Sequence, residues 1–475
     1  MGSDIALANA VGREILESGL ANRTFIERAT SDFEAYRERV APFTLDEAER
    51  ATGVPQDAIR ELAHAYAKAP RAQLCWTLGI TEHHNAADHV LALINLALLT
   101  GHVGRYGSGL NPLRGQNNVQ GGGDMGALPN KLPGFQDVED PAARGKFEKA
   151  WANPLPAKNG WHLTLMFDAM ARGELRTLYI IGENPAQSEA DARRARKLLE
   201  GLEHLVVQDI FLTKTAELAD VVLPAAASWA ESEGTVTSSE RRVQRVRKAL
   251  DPPGNARDDI EILCELARRL GHDWGRPSAE QVWDELRSLS PMHAGMSYRR
   301  LDELGGIQWP CPDESHPGSP FLHGRLWEVP VRGKRARFHA VAFVPPADPL
   351  SEDYPIRLTT GRRLDSFNTG VQSAGYRSPI RHEETLDIAP EDGARYDVAE
   401  GERVRVSSRR GALDVPVRYR EDLRPGLAFM SLHFPDDADT NALTNDIWDP
   451  KSGTAEFKAT AIRIEKIAEP EPARS

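Results

Sequence analysis

Apolar positions in the first hundred residues recur at helical spacing. Ile5, Leu7, Ala8, Val11, Ile15 and Leu20 predict a helix over 4–20. Thr24 before F-I-E-R and Thr44 before L-D-E-A-E-R predict the caps of two more. Pro55 opens a further helix, Q-D-A-I-R-E-L-A-H-A-Y-A, which ends near Pro70. The run A-Q-L-C-W-T-L-G-I predicts a short buried strand, and residues 84–100 return to helical spacing. W-H-L-T-L-M-F-D-A-M-A-R-G-E-L predicts a helix that stops at Gly173. T-L-Y-I-I then reads as a parallel strand covered on both faces, with a helix over 189–200 behind it. H-L-V-V-Q-D-I-F and A-D-V-V-L-P repeat the strand pattern around a short helix, T-K-T-A-E-L-A. Helices are expected again at 257–270 and 279–290.

From Tyr354 the period changes to two. Short alternating strands flank Arg410-Gly411 and continue through L-A-F-M-S-L-H-F and A-T-A-I-R-I-E-K-I, the pattern of a closed β-barrel. The expected fold is α/β, with Rossmann-like parallel sheets and helices, followed by a C-terminal β-barrel. The Pro- and Gly-rich stretch 305–350 reads as the connection between them.

Composition narrows the function classes. The chain has 475 residues, 40% hydrophobic and 27% charged, as expected of two or three globular domains. A net charge of −12 argues against nucleic acid, and no apolar run reaches membrane-spanning length. The start M-G-S-D-I-A-L-A-N-A has no basic segment of a secretory signal. Cys75, Cys264 and Cys311 are far apart, so neither a cysteine-only metal site nor a disulfide framework is expected, and a cytoplasmic setting fits. Cys264 falls on the apolar side of its helix as a packed thiol. His83, His84 and His89 lack a metal-ligand spacing and read as polar loop histidines.

One stretch stands apart: N-P-L-R-G-Q-N-N-V-Q-G-G-G-D-M-G, residues 111–126. It holds one cation, Arg114, among the amides of Asn111, Gln116, Asn117, Asn118 and Gln120, with glycine at 115, 121, 122, 123 and 126. Amides read heteroatom edges, a guanidinium grips a carboxylate in two-pronged fashion, and glycine lets backbone approach a ligand. Composition alone serves a polar surface loop equally well. The turn Gly182-Glu183-Asn184-Pro185 sits where α/β sheets bind nucleotides, although it is not G-x-G-x-x-G and also suits an ordinary βα turn. Asp209 ends the next strand and can accept two hydrogen bonds from a guanine or ribose edge.

The run L-L-T-G-H-V-G-R-Y-G-S-G-L-N-P-L-R-G-Q-N-N-V-Q-G-G-G-D-M-G-A-L-P resembles the active-site segment of molybdenum- or tungsten-dependent formate dehydrogenases of the molybdopterin oxidoreductase superfamily. The resemblance implies that Arg114 orients formate beside the metal and that Gln116 and Asn117 shape the substrate pocket. I-G-E-N-P, V-V-Q-D-I-F-L-T-K-T-A and E-S-E-G-T-V-T-S-S-E-R-R-V-Q resemble the family's molybdopterin guanine dinucleotide site. That implies cofactor contacts at Gly182, Glu183, Asn184, Asp209, Glu233, Gly234 and Thr235, with a phosphate near Arg241 or Arg242. L-T-T-G-R-R, H-F-P-D-D-A-D-T-N-A-L-T-N-D and D-P-K-S-G-T-A-E-F-K resemble the family's dinucleotide-binding barrel and imply Thr360, Gly361, Arg362, Asn441 and Lys458.

The implied cofactor is bis-molybdopterin guanine dinucleotide with Mo or W. The implied reaction is two-electron oxidation of formate to CO2. Iron–sulfur and flavin, NAD or other electron-transfer subunits are the implied partners. The implied division is 1–116, the remainder of a catalytic α/β domain; 117–340, the dinucleotide-binding α/β domain; and 350–468, the barrel. The family's [4Fe–4S] segment and its Cys or selenocysteine metal ligand are expected outside this chain, which therefore ligates neither cluster nor metal itself. The alternatives are a non-catalytic cofactor-binding partner subunit, an inactive fragment, or a nitrate reductase-like member of the same superfamily.

Overall fold

Four helices build the first core of the computed structural model, which describes residues 1–364, 366 and 383–467. They are α1 (Asp4–Glu17), α2 (Leu45–Thr52), α3 (Gln56–Lys68) and α4 (Ala86–Thr100). Ile5, Val11 and Ile15 of α1 pack with Ile59 and Ala63 of α3 and with Leu96 and Leu99 of α4, all buried. Each such aliphatic side chain contributes roughly 1.5–3 kcal/mol by leaving water. Thr44 caps α2 as expected, its hydroxyl accepting the Glu47 N–H at 3.2 Å. The neighbouring cap is Asn22 rather than Thr24. Its Oδ1 accepts the Phe25 N–H at 3.1 Å, which puts Thr24 inside the first turn.

The stretch 305–350 does more than connect. Phe338 stacks on Tyr36 at 4.9 Å, and Trp327 lies 4.8 Å from Phe25. Leu326, Phe338 and Val341 are buried in the first core. Sparse apolar residues among prolines and glycines fasten this segment to helices three hundred positions earlier.

Strands β1 (Gln73–Trp76) and β2 (Gly109–Pro112) pair in parallel, with Cys75 opposite Asn111. They form a two-stranded ribbon, so β1 is half-exposed instead of buried, and Cys75 faces solvent. From β2 the chain runs into the amide-rich stretch, whose second half is helical: α5 (Val119–Asp124).

A three-stranded parallel sheet follows, in the order β3 (Thr177–Ile181), β4 (His204–Asp209), β5 (Val221–Pro224). Helices α6 (Leu163–Ala171) and α7 (Ala192–Glu200) lay Phe167, Met170, Ala195 and Leu199 onto Ile180, Leu205 and Val207. The expected cover on both faces is absent among the described residues: Ile181, Val221 and Val222 are exposed. The expected helix over 213–219 is one 3₁₀ turn, Ala216–Leu218. Thr213 Oγ1 takes the Ala216 N–H within the turn, and the Thr215 N–H is spent on a tertiary bond to Asn184 Oδ1.

Antiparallel strands β6 (Gly234–Thr237) and β7 (Arg242–Val246) come next, then α8 (Asp259–Arg269), with Cys264 buried as expected, and α9 (Ala279–Leu289). The C-terminal part is a closed six-stranded barrel of β8 (Ile356–Gly361), β9 (Leu386–Ile388), β10 (Arg403–Ser407), β11 (Ala412–Tyr419), β12 (Leu427–Ser431) and β13 (Thr460–Lys466). Its order is β8–β12–β9–β11–β10–β13, and β13 closes onto β8 in antiparallel register, Ile356 opposite Ile462. The inward positions Leu358, Ile388, Val404, Val415, Ala428 and Ile462 fill it. Closure leaves no free sheet edge. Of the expected span 350–468, residues 365, 367–382 and 468 lie outside the described residues.

Candidate active-site cavity

A cavity of about 1270 Å³ opens between the parallel sheet, the β6–β7 ribbon, the amide-rich loop and the barrel. Of the residues singled out in the sequence, ten line it: Gln116, Asn117, Gly182, Glu183, Asn184, Asp209, Glu233, Gly234, Thr235 and Arg362. Five do not: Arg114, Thr360, Gly361, Asn441 and Lys458. A separate hollow of about 910 Å³ beside α8 shares only Glu233 with this set.

Local physics explains the sheet side of the cavity. Gly182 ends β3 at φ +64°, a conformation that favours glycine, and nothing lies within 4 Å of where a Cβ would sit. Backbone is thus exposed directly to the cavity. Glu183 Oε1 accepts from the Asn184 N–H at 3.2 Å and the Ser188 hydroxyl at 3.0 Å. Asn184 is buried. Its Oδ1 binds the Thr215 hydroxyl at 2.7 Å and its Nδ2 donates to Gln187 Oε1 at 3.1 Å. Asn184 therefore shapes the turn more than it offers free groups. Asp209 Oδ1 accepts the Ile210 N–H at 2.6 Å, and burial raises its carboxyl above the usual range against those hydrogen bonds.

The barrel side contains an ion pair that sequence reading missed. Glu82 lines the cavity, and Lys458 Nζ lies 3.0 Å from its Oε2. The same ammonium donates to Thr360 O at 2.9 Å, and the Thr360 hydroxyl donates to Phe457 O at 2.9 Å. Lys458 and Thr360 thus stand behind the wall and tie β8 to the turn ahead of α4. Asn441 Nδ2 donates to Gln187 O at 3.1 Å and joins barrel to sheet, while its buried Oδ1 has no partner among the described residues. Arg362 is the exposed cation of the cavity, and its Nη1 reaches to 3.4 Å from the Cβ position of Gly115.

Arg241 and Arg242 are placed elsewhere. The Arg241 guanidinium donates to Trp309 O and lies over the Trp309 ring at 5.2 Å. Arg242 pairs with Glu240 at 2.7 Å. Neither lines the cavity.

The amide-rich loop is pinned from both ends. Asn118 adopts φ +62°, and its Oδ1 accepts the Thr237 N–H of β6 at 3.0 Å. A Cβ at Gly121 would lie 1.9 Å from that same oxygen, so glycine is required there. The Arg114 N–H donates to Ser239 Oγ at 2.9 Å, and Arg114 Nε donates to Gln120 Oε1 at 3.1 Å. Gln120 Nε2 then donates to Asp124 Oδ1 at 2.8 Å, and the Trp309 indole donates to Asp124 Oδ2 at 2.8 Å. Asp124 is 1% exposed, and burial raises its carboxyl against these bonds and the Arg114 and Arg241 charges. Among the described residues no hydrogen bond involves Nη1 or Nη2 of the exposed Arg114, which stands two positions before the cavity-lining Gln116. Asp124, Gln120, Trp309 and Glu82 are site residues the sequence reading did not assign. The i, i+4 step from Gln120 to Asp124 on a helix was the visible signal for one pair.

Just outside, burial and then the Glu183 carboxylate push Glu189 up to about 7 from 4.5. A carboxyl with a raised folded value keeps a proton that the unfolded chain releases, so stability falls as pH climbs from about 4.5 to about 7. Glu189→Gln is expected to raise the melting temperature at pH 8, by about 1–2 kcal/mol of stability, and to leave it nearly unchanged at pH 4.5. Equal shifts at both pH values would remove Glu189 as the cause.

Sequence comparison places this geometry among known proteins. A molybdopterin oxidoreductase family model matches residues 1–269, and a molybdopterin dinucleotide-binding domain model matches 356–461. The F420-dependent formate dehydrogenase subunit alpha of Methanocaldococcus jannaschii is 40% identical over 470 residues, 98% of this chain and 69% of that protein. Formate dehydrogenase H of Escherichia coli is 38% identical over 474 residues, 98% of this chain and 66% of that protein. The chain thus spans about two-thirds of the length of these relatives. The acetylene hydratase of Pelobacter acetylenicus superposes with a TM-score of 0.70 over 98% of this chain and 70% of its own, at 18% identity, a likeness of fold. No helix among the described residues is long and apolar enough to cross a membrane.

Proposed function

Because the chain belongs to the molybdopterin oxidoreductase family, we propose that it forms the cofactor cavity and substrate-orienting loop of a formate dehydrogenase. The observation that carries this reading is Arg114, exposed two positions before the cavity-lining Gln116 and held through its Nε by the Gln120–Asp124 relay. Formate is a small carboxylate, and an end-on guanidinium edge matches its two oxygens. The names of the relatives support the same substrate.

The residues present suit a dinucleotide cofactor. The cavity is large, Gly182 exposes backbone to it, and Asp209 and Glu183 can accept N–H groups of a guanine edge. Arg362 supplies the positive charge for a pyrophosphate. Bis-molybdopterin guanine dinucleotide with Mo or W, when bound, supplies a two-electron redox centre. Formate then yields CO2, one proton and two electrons, and further subunits carrying iron–sulfur or flavin groups receive the electrons. Arg114 binds and orients the carboxylate, while Gln116 and Asn117 line the floor beside it. Ser239 and Gln120 restrict the motion of Arg114 and lower the entropy lost on binding.

The direct test is dye reduction by the cofactor-loaded enzyme with formate, and oxidation of reduced dye with nitrate. Formate-dependent reduction without nitrate activity supports the reading. Nitrate turnover with none on formate replaces it with the nitrate reductase-like alternative, and no turnover by loaded enzyme favours a cofactor-binding subunit.

A further inference from the structure

Behind the Glu82–Lys458 wall lies a cluster that the cavity does not use. Asp4 stands in the first turn of α1, His83 in the turn before α4 and His89 on α4. One ligand atom from each lies within 4.8 Å of those of the other two. His89 Nδ1 is 4.0 Å from Asp4 Oδ2, and the two imidazole rings are 4.9 Å apart.

The His89 side chain is 0% exposed, and among the described residues neither ring nitrogen makes a hydrogen bond of good geometry, the Ile80 backbone lying near enough to act on the ring only electrostatically. Leaving a buried donor or acceptor without a partner is costly, so such groups are rare without an ion or water to satisfy them.

Both His83 ring nitrogens face oxygen: Nε2 is 3.1 Å from Gly79 O, which takes the ring proton, and Nδ1 is 3.4 Å from Glu456 Oε1, the longer contact that an ion would replace. His84 Nδ1 holds the same oxygen at 3.0 Å, and the Ala347 N–H holds the other at 2.9 Å. Ligand atoms around a tetrahedral Zn2+ stand about 3.4 Å apart. The 4.0 Å separation of His89 and Asp4 needs only a small swing of Asp4, whose side chain is 39% exposed.

We propose that Asp4, His83 and His89 form a site for one divalent transition-metal ion, Zn2+ by its ligand chemistry, with Glu456 as a neighbouring carboxylate beside His83. Two imidazoles and a carboxylate suit this borderline ion, and hard Mg2+ or Ca2+ prefer all-oxygen sets. The ion ties α1 to α4 and, through Glu456, to the segment entering β13. His83 follows Glu82, and Glu456 precedes Lys458 by two, so the tie also steadies the cavity wall. The inference does not depend on the substrate.

The test is Zn2+ uptake by the full chain, stripped with chelator, reloaded, gel-filtered and measured by atomic emission. Zinc is counted separately from any molybdenum or tungsten. The wild-type chain is expected to retain one equivalent of Zn2+, and to show the visible spectrum of a four-coordinate ion with Co2+. His89→Gln is expected to weaken binding at least 100-fold. Asp4→Asn, at a part-exposed position that tolerates change, is expected to weaken it about 10-fold and to shrink, at fixed Zn2+ concentration, the zinc-induced rise in melting temperature. Substoichiometric uptake by the wild type overturns the proposal and assigns a water to His89. Full uptake by both variants overturns it equally, because the ion then sits elsewhere.

Discussion

Arg114→Lys in the cofactor-loaded enzyme is expected to lower kcat/KM for formate by about 10²–10³-fold, the scale of losing one preorganised donor to a charged group. Lysine keeps the charge but presents a point, where Arg114 presents a planar fork. It also loses Nε, so Gln120 Oε1 loses its donor and the relay to Asp124 no longer positions the cation. Stability should barely change, because the Arg114 side chain is exposed. Steady-state kinetics with formate, alongside thermal unfolding, checks both halves. Unchanged turnover would take Arg114 out of substrate binding.

Asp124 carries the second large effect, and two substitutions separate its roles. Asp124→Ala leaves the Trp309 indole N–H and the Gln120 amide without an acceptor in a buried place. At about 1–3 kcal/mol for each unmet group, partly offset by removing a buried carboxyl, a loss of about 2–4 kcal/mol is expected. Asp124→Asn is different. Its oxygen still serves Trp309, but its NH2 then faces the NH2 of Gln120. Gln120 must flip, and its amide nitrogen then meets Arg114 Nε donor to donor. The fold survives, and KM for formate is expected to rise about tenfold with a smaller change in kcat. An Asp124→Asn enzyme with wild-type KM would show that the relay does not position Arg114.

The same relay shows how far the sequence could be read. Arg114 stood out because a lone cation among amides and glycines has an evident chemistry, and because the run around it resembles a known active-site segment. Asp124, ten residues on, did not stand out. An aspartate beside three glycines is usual in a turn, and nothing in its spacing says that Trp309 arrives from another part of the chain. The histidines failed for a related reason. Judged by their own spacing they lacked an acidic partner, yet Glu456 meets His84 across 372 positions and Asp4 approaches His89 from the start of α1.

Periodicity in the sequence was sufficient for the helices of the first core, the parallel strands at 177–181 and 204–209, and the alternation that closes the barrel. Those patterns are local: a side chain's face depends on its position within its own element. Cap choice at Asn22, the 3₁₀ turn at Ala216–Leu218 and the open face at Ile181 depended on partners from elsewhere. So did the composition of the cavity wall, where Lys458 meets Glu82 and Arg362 reaches the backbone at Gly115. Hydrogen bonds and ion pairs act over about 3 Å regardless of how many residues separate the partners. Their residue types were legible in the sequence, and only the packing of sheet against barrel decided which of them met.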